Sequence, residues 1–243
     1  MKLKLIKRYA ADEFSYEILK NKFKIKALRE LIGVGVSLAK RLANFKIRKE
    51  DVKTIRLLYP DFPSGGLDEY YFGAQLLCLI VPPNDDQPLI RVPISAPNDE
   101  KKSVKDGIYA RDEVKAGVKS ALNLIERENP DKIITIGGSC IVLLAPFDYL
   151  HGKYGDTGII WLDAHPDVST PQDGYAYAHA MVLGTLLWQG DAGLRAIMKN
   201  GAFESQNLLY VGLQGFHDYQ EKYLNKLGVK FKIQDKILSH TPI

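Results

Sequence analysis

Cysteine is scarce in this sequence: two among 243 residues, Cys78 and Cys140. Two thiols cannot build the disulfide framework that staples small secreted domains, so an apolar core has to hold the fold. No apolar run reaches the roughly 18 residues that a membrane-spanning helix needs. The opening stretch, MKLKLIKRYAADEF, has neither the apolar segment nor the cleavage site of a secretory signal. Internal repeats and low-complexity tracts are missing too. These absences predict a cytoplasmic protein with no membrane partner. At 46% hydrophobic, the chain can bury one sizeable core, and its length suits one or two domains.

The net charge of +4 conceals an uneven distribution. Residues 1–52 carry 14 Lys and Arg against 6 Asp and Glu, which leaves 19 against 23 for the rest. The basic character is therefore local, and it says nothing about the remainder. Within residues 1–52, the apolar spacing of Phe14, Ile18, Leu19, Phe23, Leu28 and Leu31 predicts helix. ALRELIGVGVSLAKRLANF then reads as two helices around a Gly-Val-Gly turn, the second capped by Ser37. That pattern resembles a helix-hairpin-helix, a small binder of DNA backbone, to which the Lys and Arg would add a nonspecific electrostatic attraction. The plainer reading is a solvated or oligomer-packing extension. Residues 1–52 are expected to be a basic helical extension and residues 53–243 the main domain.

In the main domain, TIRLLY (54–59) predicts a strand, and Pro60 to Gly66 a loop. The run from Tyr70 to Val81 is apolar almost throughout and fits helix or strand. Leu89–Ile94 reads as a strand. Asp106 to Glu128 is expected to be a helix with one apolar stripe (Ile108, Val114, Val118, Ala121, Leu122, Ile125), ended by Pro130. Strands at 132–136, 157–162, 207–211 and 229–233 then alternate with helices at 142–149, 178–188, 194–199 and 218–227. This alternation predicts an α/β fold: a parallel sheet with helices on both faces.

Two of these strands end in polar clusters. The strand 132–136 runs into Gly137-Gly138-Ser139-Cys140, where paired glycines permit a sharp turn. The strand 157–162 runs into Asp163-Ala-His165-Pro-Asp167. On an extended backbone the three alternate side chains point one way, at the carboxyl end of a strand where open α/β sheets bind ligands. Oxygen, nitrogen and oxygen donors in five residues suit a divalent cation. A plainer reading makes the aspartates turn caps and the histidine merely polar. His179 follows at the start of a helical run.

In this order and spacing, GGSC (137–140), DAHPD (163–167) and HA (179–180) resemble the arginase family of ureohydrolases, whose signatures are GG-[DN]-H-S, D-A-H-x-D and H-G. The resemblance covers roughly residues 54 to 243. It implies the three-layer arginase-like fold and hydrolysis of linear, non-peptide C–N bonds in a guanidino or formimino substrate such as arginine or agmatine. It also implies a divalent metal, Mn2+ in the family, and a homo-oligomer. Asp163 would bridge two ions, Asp167 and Cys140 would ligate one, and His165 the other. His179 would shuttle a proton to the leaving amine, and Ser169 and Thr170 would contact substrate.

Four departures qualify this. Cys140 stands where the common pattern has His, and its softer thiolate favours Zn2+ or Fe2+. Ser139 stands where the pattern has Asp or Asn, and Ala180 follows His179 in place of Gly. The family's later S-x-D-x-D-x-x-D-P segment has no counterpart before Ile243, the last acid being Asp235 in KIQDK. A C-terminally truncated family member is therefore the expectation, with a two-metal clamp disfavoured and a one-metal site left open. Two alternatives stand beside it: a catalytically degenerate relative that keeps the fold to bind a ligand, and a nucleic-acid-associated protein acting through residues 1–52.

Overall fold

The computed structural model describes residues 52–81, 86–214, 217–229 and 231. The helices and the glycine turn expected within residues 1–51 lie outside the described residues, as does nearly all of the strand expected at 229–233. Among the described residues no helix is long and apolar enough to cross a membrane.

The central strand is β1 (Thr54–Tyr59), buried along almost its whole length. This is why TIRLLY reads as a near-continuous apolar run, since a strand covered on both faces has no need of alternation. It pairs in parallel with β2 (Leu89–Arg91) on one side and β5 (Lys132–Gly137) on the other. The β1–β5 register runs from Thr54↔Lys132 to Tyr59↔Gly137, so the loops that follow both strands leave from the same edge. A second parallel pair joins β6 (Ile159–Leu162) to β7 (Leu208–Val211). β2 is shorter than the strand expected at 89–94.

The ambiguous run after the first loop is helix α1 (Glu69–Ile80), with Glu69 in its first turn. Ala74 and Cys78 of α1 settle on Leu58 and Ile136. The opposite face of the sheet carries Leu57 and Tyr59 into the main core with α2 (Arg111–Glu128) and α3 (Leu144–Tyr154). Helix α2 buries Val114, Gly117, Val118, Ala121, Leu122 and Ile125 and ends on left-handed Asn129, just before Pro130. It starts at Arg111, later than the expected Asp106. The residues Asp106 and Gly107 both take positive φ and turn a short hairpin, β3 (Val104–Lys105) and β4 (Ile108–Tyr109). Asp-Gly is a favoured hairpin pair, and here turn chemistry overrides helical periodicity.

Three of the later helices are shorter than their apolar runs suggest, whereas α3 runs on to Tyr154, beyond the expected end at 149. Cys140–Leu143 and Ala178–Met181 form 3-10 turns that lead into α3 and into α4 (Val182–Leu186). Helices α5 (Ala192–Arg195) and α6 (Asp218–Lys226) flank β7 in sequence. The chain is thus α/β, with parallel strands and helices packed against both faces.

Strands β6 and β7 alternate. Ile159, Trp161, Leu208 and Tyr210 enter the core, whereas Ile160, Leu162, Leu209 and Val211 face outward and Leu162 is 76% exposed. Trp161 is 3% exposed and packs against Phe147. This predicts opposite responses from neighbouring residues. In urea denaturation Trp161→Ala should cost about 3–5 kcal/mol and Leu162→Ala less than about 0.5 kcal/mol. Equal losses would mean that the outer face is covered.

Candidate metal centre

The site is assembled where β5 and β6 end. After β5 the chain turns at Gly138, where any Cβ would overlap the carbonyl oxygen of Asp61. Only glycine fits so close to backbone, and the tight passage delivers Ser139 and Cys140 to the sheet edge. Asp163 follows β6 directly, and its N–H donates to the Val211 carbonyl at 3.1 Å, continuing the β6–β7 ladder by one bond. Beyond Asp163 the backbone bends, so the extended alternation expected for Asp163, His165 and Asp167 does not persist. Asp167 takes φ 48°, a left-handed conformation uncommon for a residue with a side chain.

Tertiary contacts hold this loop in place. The Tyr210 hydroxyl donates to the Pro166 carbonyl at 2.6 Å. The Gly184 N–H, on α4, donates to the Asp167 carbonyl at 3.1 Å, and Gln214 N–H donates to the Ala164 carbonyl at 3.1 Å.

The result is a compact donor set. One ligand atom from each of Cys140, Asp163 and Asp167 lies within 4.8 Å of the other two. The Cys140 thiol points at Asp163 Oδ2, 3.8 Å away. Asp167 is 4% exposed, and its Oδ2 has no hydrogen-bond partner. An unsatisfied buried carboxylate oxygen costs stability unless something binds it. One sulfur and two carboxylates, with an oxygen left unused, make a donor set that fits a divalent cation of borderline softness.

His165 stands apart from this set. Its side chain is 75% exposed, with Nδ1 3.5 Å from Asp163 Oδ1, and its N–H donates to the same oxygen at 2.9 Å. Ser169 is buried, its hydroxyl shared with Tyr219 at 3.0 Å and Gln220 at 3.2 Å. Thr170 closes a capping box with Asp173 through its N–H and hydroxyl. His179 sits in the Ala178–Met181 turn, and its Nε2 meets the Tyr175 hydroxyl at 2.9 Å. The rings of Tyr70, Tyr175 and Tyr177 stand around it. These tyrosines have no metal-ligand or catalytic spacing by which the sequence could have announced them.

The electrostatics follow from burial. Desolvation pushes the Cys140 thiol up, and the negative charges of Asp167 and Asp163 push it further. Desolvation raises the Asp167 carboxyl from 3.8 to about 7; the Cys140 thiol opposes the rise and Asp163 adds to it. Desolvation lowers His179, as does neighbouring His165, against a smaller pull upward from Asp163. His179 is thus held as neutral imidazole, able to accept a proton. A cation bound to Cys140 and Asp167 must displace protons, so its affinity should rise with pH.

An arginase family model matches residues 92–241. An arginase from Entamoeba histolytica is 31% identical over 84 residues, 34% of this chain and 25% of that protein. An arginase from Staphylococcus aureus is 24% identical over 124 residues, 45% of this chain and 41% of that protein. The crystal structure of Entamoeba histolytica arginase aligns with a TM-score of 0.59 at 17% identity, over 74% of this chain and 64% of that one. Bacillus caldovelox arginase gives 0.54 at 17%, over 75% and 64%. At such identities the structural likeness concerns the fold alone. The chain spans less than two thirds of these relatives' length.

The raised Asp167 carboxyl makes a signed prediction for metal-free protein. Its folded value lies above its ordinary one, so its contribution is fully present below about pH 4 and is lost as pH rises toward 7. Asp167→Asn removes that loss. The variant should be more stable than the parent at pH 8, by up to a few kcal/mol, and the gain should vanish near pH 4. Denaturation of both proteins in chelator across this range checks it, and a pH-independent difference would contradict it.

Proposed function

Because this chain belongs to the arginase family, we propose that it is a metal-dependent hydrolase of linear, non-peptide C–N bonds, acting on a small guanidino or formimino compound. One observation carries the proposal: Cys140, Asp163 and Asp167 converge on one point while a buried oxygen of Asp167 stays unsatisfied. Cys140, Asp163 and Asp167 would hold the cation, with His165 beside Asp163. Mn2+ is the expectation from the family resemblance, and the Cys140 thiolate moves preference toward Zn2+ or Fe2+. A divalent cation held there supplies Lewis acidity and brings the deprotonation of water toward neutral pH.

The chemistry that remains falls to the chain's own residues. A guanidinium carbon is a poor electrophile, its charge shared over three nitrogens, so the departing nitrogen must be protonated as its bond breaks. His179 is suited to relay that proton: burial keeps its imidazole neutral, so it can take a proton from the attacking water and pass it to the departing nitrogen, and the Tyr175 hydroxyl at Nε2 orients its ring. Asp163 acts as the central ligand, its Oδ1 tied to the His165 N–H and its Oδ2 facing the thiol. Ser169 and Thr170 are proposed to shape the substrate side, through the elements they pin. Self-association belongs to the same proposal.

The test is hydrolysis by the full chain loaded in turn with Mn2+, Zn2+ and Fe2+. Arginine, agmatine and a formimino amino acid serve as substrates, and urea or formamide release is the readout. His179→Ala should lower kcat by about 10²–10⁴-fold with metal content unchanged. Asp163→Ala should lose the metal. A chain that binds metal stoichiometrically and hydrolyses none of the three would instead be a ligand-binding relative without catalysis.

A further inference from the structure

A second acidic residue lies behind the site, on the loop after β1. Asp61 is 1% exposed, and Ser64 is fully buried beside it. Ser64 Oγ donates to Asp61 Oδ2 at 2.5 Å, and Ser139 Oγ donates to the same oxygen at 2.8 Å. The two serine oxygens are themselves 2.8 Å apart. Three oxygens thus form a closed triangle, one from the loop's aspartate, one from the loop's serine and one from the turn that carries Cys140.

Each corner is tied to the metal centre. Ser139 directly precedes Cys140 and stands at the N-cap of its 3-10 turn, yet its side chain makes no capping bond. A serine there ordinarily bonds the turn's own N–H groups; this one is drawn away to Asp61. The Ser64 carbonyl accepts the His179 N–H at 3.2 Å. The bare backbone of Gly138 lies against the Asp61 carbonyl, leaving no room for a side chain between the two segments. One buried carboxylate is therefore linked both to the turn presenting the thiol and to the turn presenting the imidazole.

We infer that Asp61 is a positioning residue: through Ser139 it sets the place of Cys140, and through Ser64 that of His179. The inference rests on the metal-centre reading above, but it can be tested apart from it. The triangle has three short contacts, and two hydroxyls supply protons for two. The third is satisfied when the Asp61 carboxyl is itself protonated, so that it donates to one serine, that serine donates to the other, and the other donates back to Oδ2, in keeping with burial pushing that carboxyl up. A neutral amide of the same shape should then stand in for it, whereas a methyl group cannot.

Two measurements on the full chain decide the matter. In metal-free protein, alkylation of Cys140 by iodoacetamide is followed by peptide mapping, with Cys78, the other free thiol, as internal reference. Asp61→Ala and Ser139→Ala should each speed modification of Cys140 by about tenfold, the effect of a buried hydrogen bond lost. Cys78 should not change, and Asp61→Asn should stay within about threefold of the parent. In Co2+ titrations the parent should develop a thiolate-to-metal absorption band, and Asp61→Ala should bind about tenfold more weakly. Circular dichroism and cooperative melting confirm that each variant is folded. A parent with no such band defeats the metal reading, while the alkylation rates still decide the positioning role. That role is overturned if folded Asp61→Ala leaves the Cys140 rate unchanged, or if Cys78 accelerates equally.

Discussion

Two carboxylates and a thiol meet at one partly buried point, and the rest of this structure is arranged around that conflict. Among the described residues neither Asp163 nor Asp167 forms an ion pair with Lys or Arg; the one partner of this kind is His165, beside Asp163. Like charges at such range oppose one another's ionisation, and burial adds to the opposition. The fold accepts a raised Asp167 carboxyl, a suppressed Cys140 thiolate and a left-handed residue at one place. Strain of this kind concentrates at functional sites, and a bound cation would reverse every one of these electrostatic penalties.

The architecture explains how such a point is held open. The register of β1 on β5 sends the Asp61 loop and the Gly138 turn off the same edge, and the Gly138 backbone passes against Asp61. The β6–β7 pair brings Asp163 alongside and fastens the following loop through Tyr210. β5 and β6 are not bonded to each other; their ligand turns converge by reaching, and the first requirement is that these turns be rigid. Buried polar bonds supply that rigidity, from Asp61 behind Cys140 and from Gly184 behind Asp167. The outer face of β6 and β7 is apolar and exposed, and among the described residues only the inner side of that pair has a packing partner.

Much of this was legible in the residues. Strands β1, β5, β6 and β7 stand where the apolar runs put them, although only β1 is buried along almost its whole length and β6 and β7 expose one apolar face. The convergence of residues 140, 163 and 167 was readable because strand ends and glycine turns fix where the chain leaves the sheet. What pattern could not supply was geometry dependent on distant partners. The loop after β6 bends and leaves His165 exposed, which no local rule anticipates. Asp106-Gly107 turned a hairpin inside an apparent helix. Asp61 and Ser139 are 78 residues apart, and only the β1–β5 register makes them neighbours. Tyr175 carries no motif in the sequence, and only the fold sets its hydroxyl against His179.

The central claim is that one divalent cation binds through the Cys140 sulfur together with carboxylate oxygens. X-ray absorption at the zinc edge, on the full chain loaded with one equivalent of Zn2+, tests it most directly. One sulfur neighbour is expected at about 2.3 Å, with the remaining bound atoms oxygen or nitrogen at about 2.0–2.2 Å, and the sulfur signal should be lost in Cys140→Ser. A first shell of oxygen and nitrogen alone, identical in the parent and in Cys140→Ser, would contradict it.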